Sequence, residues 1–247
     1  MNRGASGHLW HQLAAYLMTS HGHRPSAILV AGTALLALAA VGSRRIWPVS
    51  RTVVTIAHEG GHALVALLTG RRLDSVRVLR STAGLTVSSG SPTGAGIVLT
   101  AAAGYTAPPL LGLGAAALIA TGHLFSMLLI SLAALTGLAV AVRNAYGILA
   151  ILLTGAAIVA VLWRGSALAE ALSGYLMTWF LLLGGVRPVL ELQHSRRRTA
   201  RGMPGRGSTT DADQLAALTG VPGGLWVFLF GLVALTALVL SAFWLIA

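Results

Sequence analysis

The stretch Thr55-Ile56-Ala57-His58-Glu59-Gly60-Gly61-His62-Ala63-Leu64-Val65-Ala66-Leu67-Leu68-Thr69 decides what kind of fold this chain has. It belongs to an apolar run, 52–69, close to the length that crosses the roughly 30 Å hydrocarbon core of a bilayer. Yet it holds three ionisable side chains within five positions. Histidines at i and i+4 lie one turn apart on one helix face, so His58 and His62 can reach the same ion. Glu59, beside the first of them, is placed to act as general base toward an attacking water. This is the spacing of zinc hydrolases. With eight His and three Glu in 247 residues, random placement gives on the order of 0.003 such motifs per chain. Each ionisable group costs roughly 2.5–3.5 kcal/mol to insert at mid-membrane, so a cluster of them is functional by default. Gly60 and Gly61 each cost a helix interior about 1 kcal/mol relative to Ala. Either close helix packing or room beside a metal for a substrate backbone accounts for them.

The rest of the chain is as apolar as this run. Hydrophobic residues make up 55% and charged residues 9%, against roughly 25% charged in a soluble domain, and the mean hydropathy is +0.79. All seventeen basic residues are Arg and only six are acidic, a net charge of +11. In a soluble protein that balance would point to nucleic acid. In a chain this apolar, Arg flanks the cytoplasmic ends of spans, and no nucleic-acid partner is expected. Cysteine is absent, which excludes disulfide scaffolds, thiol catalysis and Cys-based zinc sites.

The expected fold is an all-α integral membrane protein of about seven transmembrane helices, with a short β-hairpin after the second. The spans are expected at 26–42, 52–69, 94–121, 124–142, 145–163, 167–186 and 224–247. Pro108-Pro109 should kink or break the third, and splitting it would change the parity. Residues 1–25 read as an uncleaved cytoplasmic or interfacial segment, with an interfacial helix at 9–18, ahead of a polytopic domain over 26–247. Placing the N-terminus inside puts thirteen Arg on the cytoplasmic side and four on the other, so the N-terminus is expected in the cytoplasm and the protein in the cell membrane. Residues 71–93 hold two β-prone runs around a turn and read as a hairpin. Residues 187–210 read as an Arg-rich loop drawn to anionic lipid. A short helix over 211–219 follows, stopped by Gly220-Val221-Pro222.

A catalytic zinc takes three protein ligands and one open position. Outside the motif the chain offers Asp74, Glu170, Glu191, His194, Asp211 and Asp213. Asp74 is too close in sequence to fold back onto the same helix face, and Glu170 falls on the opposite side by the Arg count. Asp211 and Asp213 lie on the same side as the C-terminal end of the second span. They point about 200° apart on a helix, so only one can face a metal. Both also suit a helix first turn, with Ser208, Thr209 or Thr210 as N-cap. Asn144 beside Arg143 reads as a span-end polar pair or as a hydrogen-bonding group for substrate. His8, His11, His21 and His23 read as solvated residues, and Tyr105 as part of a break in the third span.

His58-Glu59-Gly60-Gly61-His62 with the following Ala63-Leu64-Val65-Ala66-Leu67-Leu68-Thr69-Gly70 resembles the core helix of site-2-protease-type intramembrane zinc metalloproteases, and their short bacterial branch in particular. Ala103-Gly104-Tyr105-Thr106-Ala107-Pro108-Pro109, Arg143-Asn144, and Asp211-Ala212-Asp213-Gln214-Leu215 through Pro222 are similar to that branch as well. The resemblance covers roughly residues 45 to 245. It implies a Zn2+ held by His58, His62 and Asp211, with Glu59 as general base and transmembrane proteins as substrates. The chain departs from the larger family in having no Leu-Asp-Gly motif. The alternative is a non-catalytic or metal-transporting membrane protein of the same fold, which has no need of a base beside the first ligand.

Overall fold

The computed structural model describes residues 25–79, 84–200 and 210–246. The N-terminal segment, with its expected interfacial helix and four His, lies outside the described residues. So do the hairpin tip 80–83 and residues 201–209 of the Arg-rich stretch.

Helix α1, Ala27–Gly42, starts where Ser26 Oγ accepts the Leu29 N–H at 3.3 Å. It ends in a tight turn in which Ser43 Oγ accepts the N–H groups of Arg45 and Ile46. Helix α2, Trp47–Leu68, then leaves at 104° to it, with Pro48 in its first turn, where no N–H is needed. At 16 residues α1 is about 24 Å long, short of the hydrocarbon thickness. Five described helices are long and apolar enough to cross a membrane: α3 (Ala95–Ala120), α4 (Leu124–Ala141), α5 (Ala145–Arg164), α6 (Ala167–Ala200) and α8 (Gly223–Ile246). The bent α1–α2 pair makes a sixth if it counts as one span. The expected seven separate spans are therefore five or six. The first is too short, and the helix of the second carries Arg51, His58, Glu59 and His62.

Two further expectations narrow or change. Of the kink or break expected at Pro108-Pro109, the break does not occur, and helix α3 is continuous through both prolines. Both prolines are buried, and Gly185 of α6 admits the Pro109 ring where a Cβ would stand 2.8 Å from its Cδ. Packing thus holds the helix through the lost N–H groups. Helix α6 continues past Val186 to Ala200, so residues 187–200 are helix and not loop. Arg187 and Glu191 pair at i,i+4. Val189 and Leu192 are buried against Ala212 and Leu215 of helix α7 (Asp211–Thr219) and Val227 and Phe230 of α8. Tertiary burial, more than propensity, makes a helix of an Arg-rich tail.

The hairpin forms as expected. Strand β1 (Arg72–Arg77) pairs antiparallel with β2 (Leu85–Ser89), with a register shift at Leu73/Ser75. Val76 and Val78 are buried with Ile56, Leu138, Val142 and Ile151, which fixes the hairpin against α2, α4 and α5. Helix α3 is central and packs on α2, α6, α7 and α8. Its buried face is built of small residues, among them Ala101, Ala103, Gly104, Gly112, Ala115 and Ala116. In a membrane such a face lets backbones approach closely. The windows of α3 and α6 are each 44% buried, those of α4 and α5 only 11% and 17%. The middle of the molecule is therefore α2–α3–α6, with α4 and α5 at its edge.

Candidate metal centre

His58 and His62 project from α2 toward α3, as their four-residue spacing requires. His62 is buried, and its Nδ1 lies 2.7 Å from the Thr100 carbonyl oxygen of α3. A carbonyl can only accept, so Nδ1 carries a proton, and deprotonation at Nε2 is what would leave a lone pair there. That atom stands 3.2 Å from His58 Nε2 and 3.3 Å from Asp211 Oδ2, and His58 Nε2 is 3.2 Å from the same carboxylate oxygen. The three candidate ligand atoms lie within 4.8 Å of one another. Asp211 Oδ2 is buried without a hydrogen-bond partner. With its Nδ1 committed to Thr100, His62 can offer only Nε2 to the centre of this group, and such a set of ligand atoms could hold a metal ion. Two imidazoles and a carboxylate are the zinc-type choice.

The approach of α3 depends on Gly104. A Cβ there would fall 2.6 Å from His58 Cε1 and Nε2 and collide with His62 Nε2. Tyr105, next along, packs edge-on to His58 (4.9 Å between ring centroids) and stacks on Phe230 of α8 (5.1 Å). Its part is to wall the cluster, within a helix that does not break. Gly61 on α2 serves helix packing, since a Cβ there would approach the Ala103 carbonyl oxygen to 2.9 Å. Gly60 meets only Leu138, at an ordinary distance.

Asp211 arrives on α7. Thr210 caps this helix, its side chain accepting the Asp213 N–H at 3.3 Å while Asp213 Oδ2 accepts the Thr210 N–H at 3.2 Å. Asp213 also pairs with Arg196 of α6. Its modest burial alone would raise the carboxyl pKa, but the hydrogen bonds from Thr210 and Arg196 outweigh burial and hold it below the usual range. The two acids thus separate as their helical phase requires: Asp213 closes the helix start, and Asp211 faces the histidines. Gly220, in the left-handed region at φ 72°, ends α7. Arg196 also packs on Gly223, where a Cβ would come within 2.6 Å of its guanidinium. The α7–α8 corner is therefore held from α6.

Glu59 is 2% exposed, and its Oε2 accepts the Thr86 hydroxyl of β2 at 2.6 Å. Gly84 lies against Oε1 so closely that any side chain there would overlap the carboxylate. The hairpin thus reaches back over the middle of α2. Asn144 has another occupation. Its Oδ1 accepts the Val78 N–H at 3.1 Å and its Nδ2 donates to the Val78 carbonyl at 2.7 Å. Both ends of its amide are used to tie the chain beyond β1 to the start of α5, so it does not join the cluster. Of the remaining candidates, Asp74 accepts from Ser89 within the hairpin and Glu191 joins Arg51 and Arg187. Thr86, Thr100 and Gly84 were not singled out from sequence. A hydroxyl in a strand, a backbone carbonyl and a turn glycine carry no local sign of partners far along the chain.

A family model described as peptidase M50B-like matches residues 31–241. No curated protein and no solved structure matches the chain.

Proposed function

From the premise that this chain belongs to the peptidase M50B-like family, we propose that it is an intramembrane zinc metalloprotease cleaving peptide bonds of membrane-embedded proteins. The observation that carries this reading is the convergence of His58 Nε2, His62 Nε2 and Asp211 Oδ2, with the proton of His62 turned outward to Thr100. In this reading these three residues hold the zinc. A zinc ion so held would supply Lewis acidity for a scissile carbonyl and lower the pKa of a water to about 7.

The chain's own groups do the rest. Glu59 takes the proton of the attacking water and passes it to the leaving amine. The Thr86 hydroxyl fixes Oε2, and the bare Gly84 leaves Oε1 unobstructed by a side chain. Burial of Glu59 away from bulk water makes its hydrogen bonds more directional and its charge more effective. Asn144 acts here by positioning Val78 and with it the hairpin, the element nearest Glu59 on which an extended substrate segment would be laid.

The test is purification of the full chain in detergent, with zinc content and cleavage of a transmembrane substrate measured for wild type and Glu59→Gln. The variant is expected to keep its zinc and lose cleavage by about 10²–10⁴-fold. Wild-type cleavage by a zinc-loaded Glu59→Gln would refute the mechanism and leave a metal-binding or metal-transporting protein.

A further inference from the structure

A groove of about 770 Å³ lies away from the metal centre, between the C-terminal end of α1, one face of α6 and helix α8. Leu183, Arg187, Leu190, His194 and Arg198 line it at three- and four-residue spacing, a single stripe along α6. The stripe is graded. Toward Leu183 the opposing walls are Leu38 of α1 and Leu238 of α8, while toward Arg198 the lining becomes basic. Arg187 stands 20 residues beyond the start of α6, about 30 Å along the axis. If Ala167 marks one edge of the hydrocarbon, the basic end lies at the headgroups of the opposite leaflet.

The charges here do not balance. Arg51 and Arg187 both pair with one carboxylate, Glu191, and both stack on Trp47, whose indole N–H donates to the same acid at 2.9 Å. Arg44 and Arg45 are exposed in the turn that follows α1, and Arg198 is exposed at the far end of the stripe. The other five acids of the chain are elsewhere: Glu59 on Thr86, Asp74 on Ser89, Asp211 at the histidines, Asp213 on Arg196, and Glu170 in the first turn of α6. An apolar slot with an excess of guanidinium at one end has the polarity of an anionic amphiphile. We propose that this groove binds one anionic phospholipid, its phosphate held by Arg198 and His194 beside Arg187 and an acyl chain lying along Leu38, Leu183 and Leu238.

The test is native mass spectrometry of the detergent-purified full chain with equimolar phosphatidylglycerol and phosphatidylcholine, a readout independent of proteolysis. Wild type is expected to retain phosphatidylglycerol in preference. Replacing the two exposed side chains at this end with His194→Gln and Arg198→Gln should lower its retention at least about fivefold, the contribution of the lost guanidinium. Leu38→Trp, which narrows the apolar end, should lower it as well. Arg164→Gln, at the end of α5 and outside the groove, should leave it unchanged. Equal retention of the two lipids overturns the proposal, as does indifference to His194→Gln/Arg198→Gln. An equal loss in Arg164→Gln would mean general surface attraction and would overturn it too. Indifference to Leu38→Trp would show that only a headgroup, not a lipid chain, is held.

Discussion

Two polar clusters are built into the same apolar chain, and they are satisfied in opposite ways. At the first, His58, His62 and Asp211 bring candidate ligand atoms together, while His62 turns its Nδ1–H outward to the Thr100 carbonyl. At the second, Arg51, Arg187 and Trp47 bring donors together on Glu191, and Arg187 also donates to the Val41 carbonyl. Each is buried or half-buried, and each would be costly if left unmatched. The first cluster could be completed by a metal ion. The donor cluster completes itself, with positive charge to spare. Under the proposed function one is a site for chemistry and the other a strut, although both contain ionisable groups in or beside membrane helices.

The contrast can be broken by mutation, most severely at the first cluster. Asp211→Asn should lower zinc affinity more than about 100-fold, above the range seen when supporting residues are lost. Chelator competition checks it. Gly104→Ala should come next. It improves intrinsic helix propensity by about 1 kcal/mol yet places a methyl group against both imidazoles. Zinc content and cleavage should fall together, by about 10-fold or more. A variant with normal zinc would mean that α3 can retreat from α2.

The distinction sharpens at Thr86→Val, which removes the hydroxyl on Glu59 and keeps the shape. Cleavage should fall about 10-fold, from the loss of one hydrogen bond to a charged group, with zinc content unchanged. The smallest effect is expected at the donor cluster. Glu191→Gln should cost about 1–2 kcal/mol of stability, given a side chain 36% exposed. Zinc affinity should stay at the wild-type value. A loss of zinc in Glu191→Gln would show that the two clusters are coupled through α6 and are not independent.

What could be read from the sequence was what is local. The motif on α2, the hairpin, and α7 with its cap at Thr210 and its stop at Gly220 all follow from spacings of a few residues. Helical phase alone separated Asp211 from Asp213, although it could not say which of them faces the metal. The misread parts depend on packing. The Pro108-Pro109 pair looks like a break until Gly185 is seen to receive the ring. The tail 187–200 looks like loop because Arg dominates it, while Val189 and Leu192 find their partners only on α7 and α8. The 104° turn after α1 left no signature beyond Ser43-Arg44-Arg45, which serves equally well to end a span. Asn144 was legible as a polar residue at a span end, but not its partner Val78, which lies on another element.

The order of the three metal-facing residues along the chain has a consequence for biosynthesis. His58 and His62 are made early and share one helix, whereas Asp211 follows α6 and precedes only α8. A nascent chain that has inserted its first helices holds a pair of histidines and nothing to complete the set. Arg196, which clamps the start of α7 through Asp213, is itself synthesised near the end of α6. Under the proposed function, the third ligand would join the two histidines only once α7 docks beside α2 and α3.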